Sequence, residues 1–138
     1  MTLEEYLIFC KFEKYFKLIS KKFKDKKIII YGAGSLFQLI QKKYNLSQLN
    51  IIGISDAKYR IDQEGEFDLG YKIIPREKLV NYDADIVLLG VQSYIGLLCH
   101  FTINLFKGTK TRVYPLVRKP FFVIINDIWL HIKSKDND

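Results

Sequence analysis

Residues 28–31, IIIY, run directly into Gly32-Ala33-Gly34, and a stretch of helix formers, SLFQLIQKKY, follows at 35–44. A short unbroken β-branched run reads as a strand buried on both faces, the kind found in parallel sheets. Gly32 permits a sharp turn with positive φ. Gly34 lets backbone come close to a bound phosphate. A helix starting near Ser35 would aim unpaired N–H groups and the positive end of its dipole at the same point. A strand, a glycine turn and a helix in that order predict the first unit of a wound α/β sheet with an anion site at its mouth.

The rest of the chain repeats the alternation. NIIGIS (50–55) predicts a second strand with Asp56 at its carboxyl end. YKII (71–74) predicts a third, and Pro75 opens a short helix over PREKLVNY. DIVLLGV (85–91) predicts a fourth strand. A helix over 94–106 follows, and then a fifth strand, TRVYPLV (111–117), which Pro115 places at an edge or an end. Alternating strands and helices imply right-handed crossovers and a parallel sheet. The expected architecture is α/β, a small doubly wound parallel sheet of Rossmann-like form with four or five strands in the order 3-2-1-4-5. With 138 residues, one domain is expected. It comprises an N-terminal helix (1–24), a core (26–117) and a C-terminal flank (120–133).

Both flanks are rich in apolar side chains. Thr2 and Glu5 form a capping-box pattern. Leu3, Leu7, Ile8, Phe12, Tyr15, Phe16, Ile19 and Phe23 recur at three- and four-residue steps, which predicts one amphipathic helix over 2–24. The tail, FFVIINDIWLHIK (121–133), has the length of a helix and the β-branched start of a strand. The helices of the core suffice to cover one sheet. Phe9, Phe12, Phe16, Ile19 and Phe23, with Phe121, Phe122, Ile125, Ile128, Trp129 and Ile132, are therefore expected as surplus apolar surface. Such surface predicts an interface, here a homodimer.

Composition narrows the function. Hydrophobic residues make up 49% and charged residues 27%, an ordinary globular balance. Cys10 and Cys99 with His100 and His131 do not make a zinc site, and no metal is expected. No segment is apolar for long enough to span a membrane. Glu4 and Glu5 sit where a secretory signal would be basic, so a cytoplasmic chain is expected. The net charge of +7 is uneven: residues 1–27 hold eight lysines against four acids, and residues 53–90 hold eight acids against five bases. The basic ends suit phosphate, acidic lipid or an acidic partner. No helix-turn-helix pattern supports sequence-specific nucleic-acid binding.

Asp56 lies 22 residues after Gly34 at the end of the adjacent strand, where a carboxylate accepts hydrogen bonds from a ribose. Phe37 stands where the third glycine of G-x-G-x-x-G would be. Its ring is expected either to push the helix outward or to turn into the cleft, because that glycine allows close packing of helix on strand.

KKIIIYGAGSLFQLI, IIGISDAKYR, GYKIIPREKL and ADIVLLGVQSY together resemble Rossmann-like domains of nucleotide-sugar and bacterial surface-polysaccharide enzymes. These include the N-terminal domain of sugar N-acetyltransferases, and CoA-binding domains are similar in layout. The resemblance covers residues 26–117. It implies that Gly32, Ala33, Gly34, Ser35 and Asp56 line a pocket for a nucleotide or nucleotide-sugar, with Gln92 and Ser93 facing the same cleft. NAD(P), CoA and UDP-sugars are the ligands it brings into view. No Tyr-x-x-x-Lys pair is present, and no catalytic residue is assigned. The expected function is a binding module in surface-glycan metabolism. A small NAD(P)-dependent oxidoreductase or sugar-modifying enzyme is the alternative, with Tyr94, Ser93 or Asp56 placed for acid–base work. An interaction protein with a vestigial site is a third.

Overall fold

The computed structural model describes residues 1–136. Four strands, β1 (Ile28–Tyr31), β2 (Ile51–Ser55), β5 (Ile86–Leu89) and β6 (Arg112–Pro115), form one sheet in the order β2-β1-β5-β6. Every pairing in it is parallel. The third predicted strand is reduced. Tyr71–Lys72 (β4) folds back on Phe67–Asp68 (β3) as a small hairpin, and only Ile73 bridges to Ile54 of β2. With that bridge the order is the expected 3-2-1-4-5.

Strand side chains alternate between two apolar clusters, one on each face. Ile28, Ile30, Ile54, Ile86 and Leu88 point to the face covered by the N-terminal helices and α3 (Ser35–Lys43). Ile29, Tyr31, Val87 and Leu89 point to the other face. That face is covered by the 3₁₀ segment Arg76–Tyr82 and by α4 (Ile95–His100), which widens into a π turn over Phe101–Leu105. The sheet is thus wound on both sides, and the winding changes side between β1 and β5. The tail forms one helix, α5 (Phe121–Asp136).

The N-terminal segment differs from expectation. It is two helices, α1 (Leu3–Phe9) and α2 (Phe12–Lys22), broken at Cys10–Lys11, with Lys11 at φ 51° in the left-handed region. The capping box at Thr2 and Glu5 is present, Glu5 donating its N–H to Thr2 Oγ1 at 3.1 Å. The break follows from angular placement. At about 100° per residue, Tyr6, Leu7 and Cys10 are centred roughly 180° around the axis from Phe12, Tyr15, Phe16 and Ile19. All seven are buried. A straight helix could bury only one of these sets, and the kink brings both onto the sheet.

That burial corrects the expectation of apolar surplus on this flank. Phe12, Phe16, Ile19 and Phe23 belong to the chain's own core, and Phe12 packs edge-on against Tyr44 at 4.9 Å. Only Phe9 of the five stays partly exposed. The surplus is on α5, where Phe121, Phe122, Ile125, Ile128, Trp129 and Ile132 are all exposed.

Phe12→Ala should cost about 3–5 kcal/mol, the usual range for truncating a buried Phe. Urea denaturation checks it. A loss near zero would mean that the N-terminal helices do not contribute to the core.

Candidate functional site

The carboxyl ends of β1, β2 and β5 meet at the glycine turn. Gly32 has φ +117°, and its N–H donates to Ser55 O at 2.8 Å. A Cβ at this position would lie 2.8 Å from Val91 Cγ1 and 3.1 Å from the carbonyl of Gly90. Glycine is therefore required twice over, by dihedral and by space. Gly34 takes an extended conformation as N-cap of α3, and a Cβ there would meet nothing within 4 Å. Among the described residues no side chain caps this helix. Its first-turn N–H groups have no intrahelical partner. They open beside Gly34 and Ser35, which are exposed, whereas Gly32 and Ala33 are buried.

Asp56 does two things here. Its Oδ2 accepts the Ala33 N–H at 2.7 Å, and its Oδ1 accepts the Lys58 N–H at 3.0 Å. Asp56 therefore braces the glycine turn from the next strand. A carboxylate offers about four lone-pair sites, so acceptor capacity remains for a ligand. Gln38 donates to Ala33 O at 3.1 Å from within α3, and Lys58 Nζ lies 3.4 Å from the same carbonyl. Lys58 thus brings a cation to the turn.

Phe37 does not turn into the cleft. Its ring is fully buried in the cluster beneath the sheet, 6.2 Å from Tyr71. The room comes from across the fold. A Cβ on Gly90 would stand 3.5 Å from Phe37 Cβ and 3.2 Å from Gly32 O. The small residue that allows close helix–strand packing is on β5's exit instead of on the helix.

Gln92 and Ser93 follow β5 and are exposed. Ser93 lines a cavity of about 280 Å³ with Ile95, Gly96, Asp127, Leu130 and His131, beneath α5. Within it the His131 ring lies against Gly96. The lining of that cavity includes none of Gly32–Ser35 or Asp56.

Tyr94 is also withdrawn from the cleft. It is buried, its hydroxyl accepts the Lys119 N–H at 3.0 Å, and burial pushes its pKa up. Its hydroxyl is thus engaged by the backbone before Pro120 rather than at the glycine turn. Cys99 and His100 do not form a pair: His100 is exposed and contacts Asn104.

Three neighbours of the turn were not legible in the sequence as site residues. Tyr31, the last residue of β1, has its hydroxyl pKa raised by burial and drawn back by the Arg76 guanidinium beside it. Arg76 is half-buried, lies over the Phe101 ring at 5.4 Å, and forms no ion pair among the described residues. Ser55 pairs in register with Tyr31, and its buried hydroxyl has no partner among the described residues. The only sequence signal for Arg76 was its place directly after Pro75.

A parallel sheet wound on both faces, with a glycine turn and an uncapped helix where the winding changes side, defines a Rossmann-like α/β domain. The chain belongs to the family described as C2185-like, N-terminal, whose model matches residues 24–104. The match starts just before β1 and ends in the π turn after α4. No curated protein matches. A solved structure described as "Crystal structure of RSP in complex with beta-NADH" is similar at 16% identity with a TM-score of 0.43, covering 91% of this chain and 72% of that one.

Gly32→Ala should destabilise the protein by about 1–3 kcal/mol, the range for a residue forced into a sparsely populated dihedral. Gly34→Ala should cost less than about 1 kcal/mol, the scale of an N-cap change. Thermal melts of the two variants decide whether the turn is held as described. Asp56→Ala should lower stability by about 1–3 kcal/mol without any ligand, because the Ala33 and Lys58 N–H groups lose their acceptor. An unchanged apo melting temperature would show that the brace carries no weight.

Proposed function

We propose that this domain binds a nucleotide or nucleotide-sugar at the glycine turn, as a non-catalytic module of bacterial surface-glycan metabolism. One observation carries the reading: the uncapped N-terminus of α3 opens at the carboxyl edge of the sheet, beside the crevice where the winding changes side. In open α/β sheets that crevice is where ligands bind. A phosphate would sit on the N–H groups at Gly34 and Ser35. Asp56, already bracing the turn, would take a ribose hydroxyl with its remaining lone pairs. Arg76 and Lys58 would supply positive charge at the rim. Gln92 extends from the next strand end, while Ser93 belongs to the neighbouring cavity.

The enzyme alternative has less support. Tyr94 is engaged elsewhere, and Asp56 is committed to two backbone donors. NAD(P), CoA and UDP-sugars stay together as ligand classes, since each carries a pyrophosphate for the helix terminus. A homodimer, expected to be built partly from one or both flanks, would rest mainly on α5, since Phe12, Phe16, Ile19 and Phe23 of the N-terminal flank are spent on the core.

A thermal-shift panel of NAD, NADP, CoA and UDP-sugars tests the proposal. A one-site ligand at 100 times its Kd adds about 2.7 kcal/mol of stability. Ser35→Glu sharpens the result. An acid in the first turn suits the helix dipole but repels a phosphate, so the variant should fold normally and bind at least about tenfold more weakly. No shift with any of these ligands, or an equal shift in Ser35→Glu, would end the reading.

A further inference from the structure

The helix α5 faces the wrong way for a helix that serves only the core. Val123, Ile124, Asp127 and His131 are its less exposed positions, and Asp127 is ion-paired to Lys119. At about 100° per residue, Phe121, Phe122, Ile125, Ile128, Trp129 and Ile132 fall on the opposite side within roughly 120° of arc. All six are exposed, Trp129 at 64%. This is a continuous stripe of bulky apolar side chains turned to solvent.

The stripe continues onto the N-terminal helices. Phe9 packs edge-on against Phe122 at 6.2 Å. Phe9, Tyr15, Leu18, Phe121 and Ile124 line a cavity of about 470 Å³ between the α1–α2 kink and the start of α5. Its rim is cationic: Lys11, Lys14, Arg118 and Lys119 all border it. Among the described residues only Lys119 of these four has a carboxylate partner. Arg118 stacks over the Tyr15 ring at 4.7 Å, which holds the guanidinium at the rim. From Phe121 to Lys135 the tail helix has a single acid, Asp127, already tied to Lys119 on the inward side.

We propose that this face docks the protein on an anionic lipid bilayer, with the α5 stripe among the acyl chains and Lys11, Lys14 and Arg118 at the phosphate level. Charge selects that occupant. A second copy of the chain, packed through the same face about a two-fold axis, would set these cations against themselves, and like charges facing one another oppose association. The anionic surface of a bilayer offers the complement. The stripe sets Phe, Ile and Trp side chains with lysines beside them, the pattern of helices that lie in the interface plane. Aromatic side chains also favour that depth. The docking involves neither the glycine turn nor its ligand.

Trp129 is the only tryptophan in the chain, so its fluorescence reports on this face alone. The full chain is mixed with vesicles of phosphatidylcholine, or of phosphatidylcholine with phosphatidylglycerol, and binding is followed by emission and co-sedimentation. The expected result is a blue shift and pelleting with the anionic vesicles only, reversed by high salt. The variant Lys11→Glu/Lys14→Glu/Arg118→Glu, altered at three exposed positions, should bind roughly 100-fold more weakly, at about one factor of five for each cation lost. Phe122→Ser/Ile125→Ser should reduce the blue shift with the charges intact. Circular dichroism of both variants verifies folding. The proposal is overturned by an absent shift with anionic vesicles, or by an equal one with neutral vesicles. It is overturned likewise by an equal shift with polyglutamate, which would indicate an acidic protein partner. Emission already blue in the free protein and rising with its concentration would assign the face to a second copy.

Discussion

The close approach of Gly32 to Gly90 governs much of this structure. Two strand ends from opposite halves of the fold come close enough that a side chain on either would be crowded, Gly32 O lying 3.2 Å from where a Gly90 Cβ would be. Gly90 N–H bonds to Tyr31 O at 2.8 Å and Gly32 N–H to Ser55 O at 2.8 Å, so the turn is tied to both neighbouring strands. The same gap admits Phe37 beneath the sheet. It thereby fixes the height of α3 and the position of its first turn. The brace from Asp56 finishes what these contacts begin: the backbone at the mouth is set by the protein before any ligand arrives.

Preorganisation of this kind has a chemical meaning. A binding site whose loop is already ordered does not have to order it on association. The donors left over at Gly34 and Ser35 are orphaned by the geometry of the helix itself, not by strain. On the opposite side of the crevice, Ser55 and Tyr31 bring polar atoms into a largely apolar layer, with Arg76 beside them. The candidate site is asymmetric, with backbone donors on one side and side-chain groups on the other.

Much of this was legible in the sequence, and the rest was hidden for identifiable reasons. The isoleucine run of β1, the turn after it and the strand order all follow from local pattern, because a buried parallel strand and a glycine turn are local signals. The N-terminal kink was not legible. Spacings of three and four residues look continuous on paper, and only the angle between the two buried sets shows that they cannot share one axis. Phe37 was misjudged because its compensation lies 53 positions away, at Gly90. Asp56 was correctly seen as adjacent to the turn, but its bonds to Ala33 and Lys58 depend on loop geometry that spacing does not carry. Arg76 reaches the site through the short segment after Pro75, and nothing local marked it. The direction in which α5 points its apolar face depends on which residues the core accepts, which is a tertiary decision.

One detail of the last strand has a consequence for growth of the sheet. β6 is an outer strand and ends on Pro115, a residue with no N–H to offer. The Pro115 carbonyl is occupied as well, since Tyr15 donates its hydroxyl to it at 2.8 Å. At the far edge the β3–β4 hairpin lies alongside β2. A further strand is discouraged at one border and obstructed at the other, which are the devices by which natural sheets avoid edge-to-edge polymerisation. Larger structures that include this domain must therefore be joined through helices and side chains rather than through an extended ladder of peptide groups.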